Sequence, residues 1–147
     1  MKILAAALLV MQSGSIHDLQ LDMGKRSVEE VLGSLGTHDA DWPSDGTEKY
    51  DVPGGNLFFC GNTLHTIIID MPGNVQSFAR AVNAETKARG APEVAFEDTV
   101  VGYVNAEWRV EPYKYLSISM VQYRPDDEVE VWRSLRQLNH CRDGALQ

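Results

Sequence analysis

Cysteine is scarce in this chain, and basic residues are outnumbered by acidic ones. Its two cysteines, Cys60 and Cys141, are too far apart for a CxxC redox motif or a cysteine-rich zinc site. The four histidines, His17, His38, His65 and His140, include no pair one helical turn apart, so the paired ligands of a zinc protease are missing. There is no Gly-x-Ser-x-Gly elbow to expose a nucleophilic serine, and no Gly-rich loop to cradle a nucleotide phosphate. With 13 basic against 21 acidic residues the net charge is −8, which disfavours nucleic acid and anionic membrane surfaces. No apolar run reaches the roughly 20 residues that cross a bilayer as a helix. No metal or cofactor is expected.

What is present fits a single globular domain: 147 residues, 44% hydrophobic and 23% charged. Residues 1–15 have the form of a secretory signal peptide. Lys2 supplies the positive start, Ile3 to Met11 an uncharged apolar run, and Ser13 and Ser15 the small residues before cleavage at Ile16. The competing reading is an apolar N-terminal strand or helix of a cytosolic protein. Export implies an oxidising compartment, periplasmic or secreted, where a Cys60–Cys141 disulfide is the simple expectation. Closing a loop of that length is worth up to about 4–5 kcal/mol on the chain-entropy model. The competing reading is two separate buried thiols.

The strongest pattern is Asn56 to Asp70, two apolar runs flanking Gly61-Asn62, which reads as a central hairpin. Before it, IHDLQLD reads as an alternating strand or an extended lead-in. Ser27 and Glu30 form a capping box for a short helix with Val28, Val31, Leu32 and Leu35 on one stripe and Gly36 as its stop. Residues 37–50 read as an acidic loop. Asn74 caps a second helix with Val75, Phe78, Ala79 and Val82 as its apolar stripe, ended by Gly90 and Pro92. Thr99 to Val110, Tyr115 to Tyr123 and Val129 to Leu138 read as strands, and residues 142–147 as a loose tail. The expected fold is α+β in one domain over residues 16–141. An antiparallel sheet of five to six strands carries two helices on one face, arranged as two helix-then-strands units, about 20–71 and 74–138.

The segment LDMGKRSVEEVLGSLG, residues 21–36, resembles the opening of the BamE/SmpA-OmlA-like domains of bacterial envelope proteins. Ser27, Glu30, Val31, Leu35 and Gly36 match that pattern position for position. The resemblance implies a helix leading into a small antiparallel sheet, a tandem of such units similar to the β-lactamase-inhibitor-protein fold, and a non-enzymatic, protein-binding role. A proline after the Leu-Gly and a lipidation cysteine, both common in the family, are absent.

Candidate chemistry is sparse. A calcium loop starting at Asp39 would place Pro43, Ser44 and Tyr50 where the ligands and the glycine belong, so it fails. A looser carbonyl-and-carboxylate calcium site in that loop is the alternative to a solvated one. His65 and Cys60 could pair as base and thiol only if Cys60 were free. Glu107, Glu111, Glu128 and Glu130 fit charged strand ends better than a glycosidase pair. Tyr115, Ser117, Ser119 and Tyr123, joined across the following turn by Glu128, Glu130 and Trp132, line one side of the last hairpin, with the tyrosines, the serines and Trp132 as its five site residues. They mix rigid aromatic contact with adaptable hydroxyls, as binding surfaces do. The leading expectation is therefore an exported protein-binding module, of inhibitor or envelope-assembly type, using these five residues. A small-ligand carrier with an apolar pocket between sheet and helices is the alternative, and a small hydrolase the third.

Overall fold

A computed structural model describes residues 14–43, 46–97 and 102–147. The expected export segment up to residue 13 lies outside the described residues, as does the start of the 99–110 strand.

The described residues open with a single 3-10 turn, Ile16–Asp18, closed by reciprocal hydrogen bonds between Ser15 and Asp18. This replaces the extended lead-in at its start. Helix α1 (Lys25–Leu32) follows, then strands β1 (Thr37–His38), β2 (Thr47–Val52), β3 (Gly55–Cys60) and β4 (Thr63–Met71). Helix α2 (Val75–Arg89) then carries the chain to the far edge of the sheet. From there β5 (Glu93–Glu97), β6 (Tyr103–Glu111), β7 (Lys114–Val121) and β8 (Glu130–Gln137) return to the middle. The strand order is β1-β2-β3-β4-β8-β7-β6-β5, antiparallel at every pairing. Each half is thus a helix followed by four strands, and the halves meet where β4 pairs with β8.

The sheet has eight strands, not the five to six expected. The two edges account for much of the difference. β1 has only two residues, and β5 is exposed at every position. An edge strand that buries neither face carries little of the pattern by which strands are read.

Cross-strand register puts Leu57, Ile67, Leu135, Leu116 and Trp108 in one row across five strands. This row faces the helices. Around α1 the core holds Val28, Leu57, Phe59 and Leu64, all fully buried. Around α2 it holds Ala106, Trp108, Leu116 and Ile118, packed by Phe78, Ala81 and Val82. Leu135 packs against both clusters, so both helices lie on the same face.

Local details differ from the sequence reading. Helix α1 starts one turn earlier than the capping box implies, with Gly24 as N-cap and no side-chain cap, and Gly33 ends it in the left-handed conformation. Helix α2 is capped as expected, Asn74 Oδ1 accepting from the Ser77 N–H at 2.7 Å. Its stripe, however, is Phe78, Ala81 and Val82, and the expected Val75 and Ala79 are exposed. In the central hairpin only Gly61 has positive φ, 58°, the glycine-first pattern of a II′ turn. His65 is an extra residue in β4. Phe59 pairs with Leu64 and Phe58 with Thr66, so His65 leaves the row of Ile67 and Ile69, and Leu64 takes the core place.

Cys60 and Cys141 form a disulfide with Cα atoms 5.6 Å apart. It anchors a terminal hairpin of β9 (Cys141–Arg142) and β10 (Ala145–Leu146).

Candidate binding face

Because side chains alternate along a strand, the residues between the core positions point to the side of the sheet opposite the helices. On β7 these are Tyr115, Ser117, Ser119 and Val121; on β8 they are Glu130, Trp132, Ser134 and Arg136. Four of the five expected site residues therefore share one face. The fifth, Tyr123, lies beyond the end of β7 and is 55% exposed.

The serines and the aromatics have different roles there. Ser117 and Ser119 are buried, and Ser119 Oγ donates to Asn105 Oδ1 at 2.8 Å. Their small size leaves room above β7, and side chains from the flanking strands meet in it. Trp132 of β8 and Tyr103 of β6 approach to 6.3 Å between ring centroids, over Ser119 and Val121. Arg136 Nη2 donates to Glu107 Oε2 at 2.7 Å, between Tyr115 and Ser117. Tyr115 and Trp132 remain half-buried and offer part of their rings to the outside. The serines set the height of the surface, and the aromatics and the ion pair form it.

One end of this face is covered. The ring of Trp42 packs edge-on against Phe58 at 5.2 Å, and its indole N–H donates to Thr47 Oγ1. Lys49 holds Asp39 at 3.0 Å and lies 5.6 Å from the Trp42 ring centroid. The hydrogen bond from Lys49 lowers the Asp39 carboxyl pKa, and the same bond raises that of Lys49. Of the segment 37–50 read as a loop, residues 37–38 and 47–50 are in β1 and β2, and Asp39 and Trp42 fold onto the sheet. Among the described residues, no cluster of three or more metal-ligating side chains forms.

The other end is open. There, Asp70 pairs directly with Trp132 across β4 and β8, and Asn56 pairs with Ile68 across β3 and β4. With Glu130 these residues line an open cleft of about 550 Å³. Sequence reasoning found Trp132 but missed Asn56, Ile68 and Asp70. The available signal was Ile68, an apolar side chain breaking the alternation within Ile67-Ile68-Ile69-Asp70.

The other candidates resolve simply. Cys60 is in the disulfide, so His65 has no thiol to activate. The His65 ring instead meets Thr66 Oγ1 at 2.9 Å and the Asn139 carbonyl at 2.8 Å. Glu107 pairs with Arg136, and Glu111 with Lys114 at 3.1 Å. No helix among the described residues is long and apolar enough to cross a membrane. No family model matches the chain, and neither a curated protein nor a solved structure does.

Proposed function

We propose that this chain is an exported, non-enzymatic protein-binding module of inhibitor or envelope-assembly type that docks its partner on the helix-free face. The observation that carries this reading is the pair of half-exposed aromatics, Tyr115 and Trp132, on a sheet face that neither helix covers. Large aromatic side chains with few rotatable bonds give much contact area at little entropic cost, which favours them as anchors. Tyr123, just beyond the end of β7, is exposed. The export assignment rests on residues 2–15, and the kinship with BamE-like envelope modules on residues 21–36. The disulfide is compatible with an oxidising compartment.

The carrier alternative has one observation in its favour. Val75, Phe96, Val104 and Met120 line a mostly apolar hollow of about 160 Å³ beside the start of α2. Ligand pockets generally run from about 300 Å³ upward, so the hollow suits only a very small guest. The protein-binding reading is preferred.

The test is affinity capture from envelope extract with the chain starting at Ile16. Wild type is compared with a variant carrying Tyr115→Ala, Tyr123→Ala and Trp132→Ala, after both are shown to be folded. Loss of a specific wild-type partner is the expected result. Unchanged recovery of every partner would overturn the assignment of the face.

A further inference from the structure

We propose that the cleft beside Trp132 is a receptor for one basic side chain, lysine or arginine, presented by the docking partner. This inference rests on the protein-binding reading of the same face and adds the chemistry of what enters it. The cleft combines an apolar floor with a negative rim. Ile68 and Trp132 are half-buried on the helix-free face, and Asp70 and Glu130 are exposed beside them. Register fixes the arrangement: Asp70 is the direct cross-strand neighbour of Trp132, and Glu130 lies two residues before it on the same strand. Directly opposed side chains start with Cβ atoms about 4.5–5.5 Å apart, so a group lying on the indole is within reach of the Asp70 carboxylate.

Among the described residues the charge at this place has no counterpart. Among the described residues, neither Asp70 nor Glu130 forms an ion pair. The nearby arginines are used elsewhere: Arg133 extends to Glu85 at 3.6 Å, and Arg136 to Glu107 at 2.7 Å. An aliphatic stem laid along Ile68 with its cationic head over the indole would satisfy both components, since an aromatic face attracts a cation and flanking carboxylates add to that attraction. An anionic or neutral polar side chain would leave the rim unpaired. The net charge of −8 acts in the same direction over longer range, drawing in a basic partner.

The probes are Nα-acetyl-lysine methylamide, its arginine counterpart and the uncharged Nα-acetyl-norleucine methylamide. They are titrated into isotope-labelled protein while the Trp132 indole N–H is followed by NMR. The cationic probes are expected to shift that resonance saturably, with the norleucine probe binding several-fold more weakly. Asp70→Asn and Glu130→Gln, both exposed and nearly isosteric, should each weaken the cationic probes about two- to fivefold and leave norleucine unchanged. Equal binding of lysine and norleucine, or no shift at the probes' solubility limit, would overturn the proposal. The two readings fail separately. If the aromatic variant loses the partner while no cationic probe binds, the docking face stands and the basic-side-chain assignment falls. If the cationic probes bind while capture is unaffected, the cleft stands and the docking reading falls.

Discussion

Arg136 of β8 reaches over the intervening β7 to Glu107 of β6, with 2.7 Å between Nη2 and Oε2. The bridge ties three strands together on the face opposite α1 and α2. It is possible only because the residue below it is Ser117, which is buried and short. The Glu107 side chain is 18% exposed and that of Arg136 42%, so the pair is worth more than a surface bridge and less than a buried one.

Removing one partner should therefore cost more than removing both. Arg136→Met is expected to lower unfolding stability by about 1–2 kcal/mol, because it leaves a mostly covered carboxylate without its donor. Adding Glu107→Gln should recover part of that loss. Urea unfolding of the two single variants and the double variant measures the coupling directly. Simple additivity would mean that the bridge contributes nothing beyond its parts.

The disulfide is the other long-range tie. Cysteines 81 positions apart close most of the domain into one loop, worth up to about 4.5 kcal/mol on the chain-entropy model. Replacing both by alanine should lower the melting temperature, and adding reductant to the wild type should have the same effect. The variant should also free the terminal hairpin and loosen the contact between His65 and the Asn139 carbonyl. Trypsin should then cut after Arg142 faster than in the oxidised wild type. Unchanged cleavage would show that the hairpin holds without the covalent link.

The local signals in the sequence were reliable where one short segment settles the outcome. Asn74 and Gly90 bracket α2, and the hairpin turns at Gly61-Asn62. They failed where several residue types could do the same work. Ser27 sits in the first turn of α1 and not before it, because Gly24 makes an isolated bridge to Thr63 that fixes where the helix starts. The candidate site was half legible for a similar reason. Alternation along β7 shows that Tyr115, Ser117 and Ser119 share a side, but it cannot show that the serines lie beneath Trp132 and Arg136. Nor can it show that Trp132 faces Asp70, since β4 and β8 are joined through the whole second unit. Register between distant strands is a tertiary property, and the cleft depends on it.

Gly55 marks a position where the backbone itself leaves no space. A Cβ built there would collide with the Ile68 carbonyl oxygen and lie 3.0 Å from Ile16 Cδ1. Since the first contact is with backbone in the neighbouring strand, no rotamer change relieves it. Gly55→Ala should destabilise the fold by about 2–4 kcal/mol, as other overpacked core sites do. Thermal unfolding measures this. A loss below about 0.5 kcal/mol would mean that β3 and β4 can separate locally at little cost.

Acid should weaken the molecule through the ion pairs around β2. Glu48 Oε2 accepts from Lys25 Nζ at 2.6 Å and from the Tyr50 hydroxyl at 3.1 Å. The Lys25 bond holds the Glu48 carboxyl below its ordinary 4.5, against the opposing effect of burial. Asp39 is likewise held below its ordinary 3.8, chiefly by Lys49. A carboxyl with a lower pKa in the folded chain than in the unfolded one stabilises fully above its unfolded value. That stabilisation is lost as pH falls through the folded value. Stability should thus be flat in these groups above about pH 5 and should decline below it. Lys25→Met removes the main cause of the Glu48 shift and should make the decline shallower, while leaving the Asp39 part in place. Chemical denaturation of both proteins from neutral to acid pH tests this, and identical pH profiles would remove Glu48 as a source of the acid sensitivity.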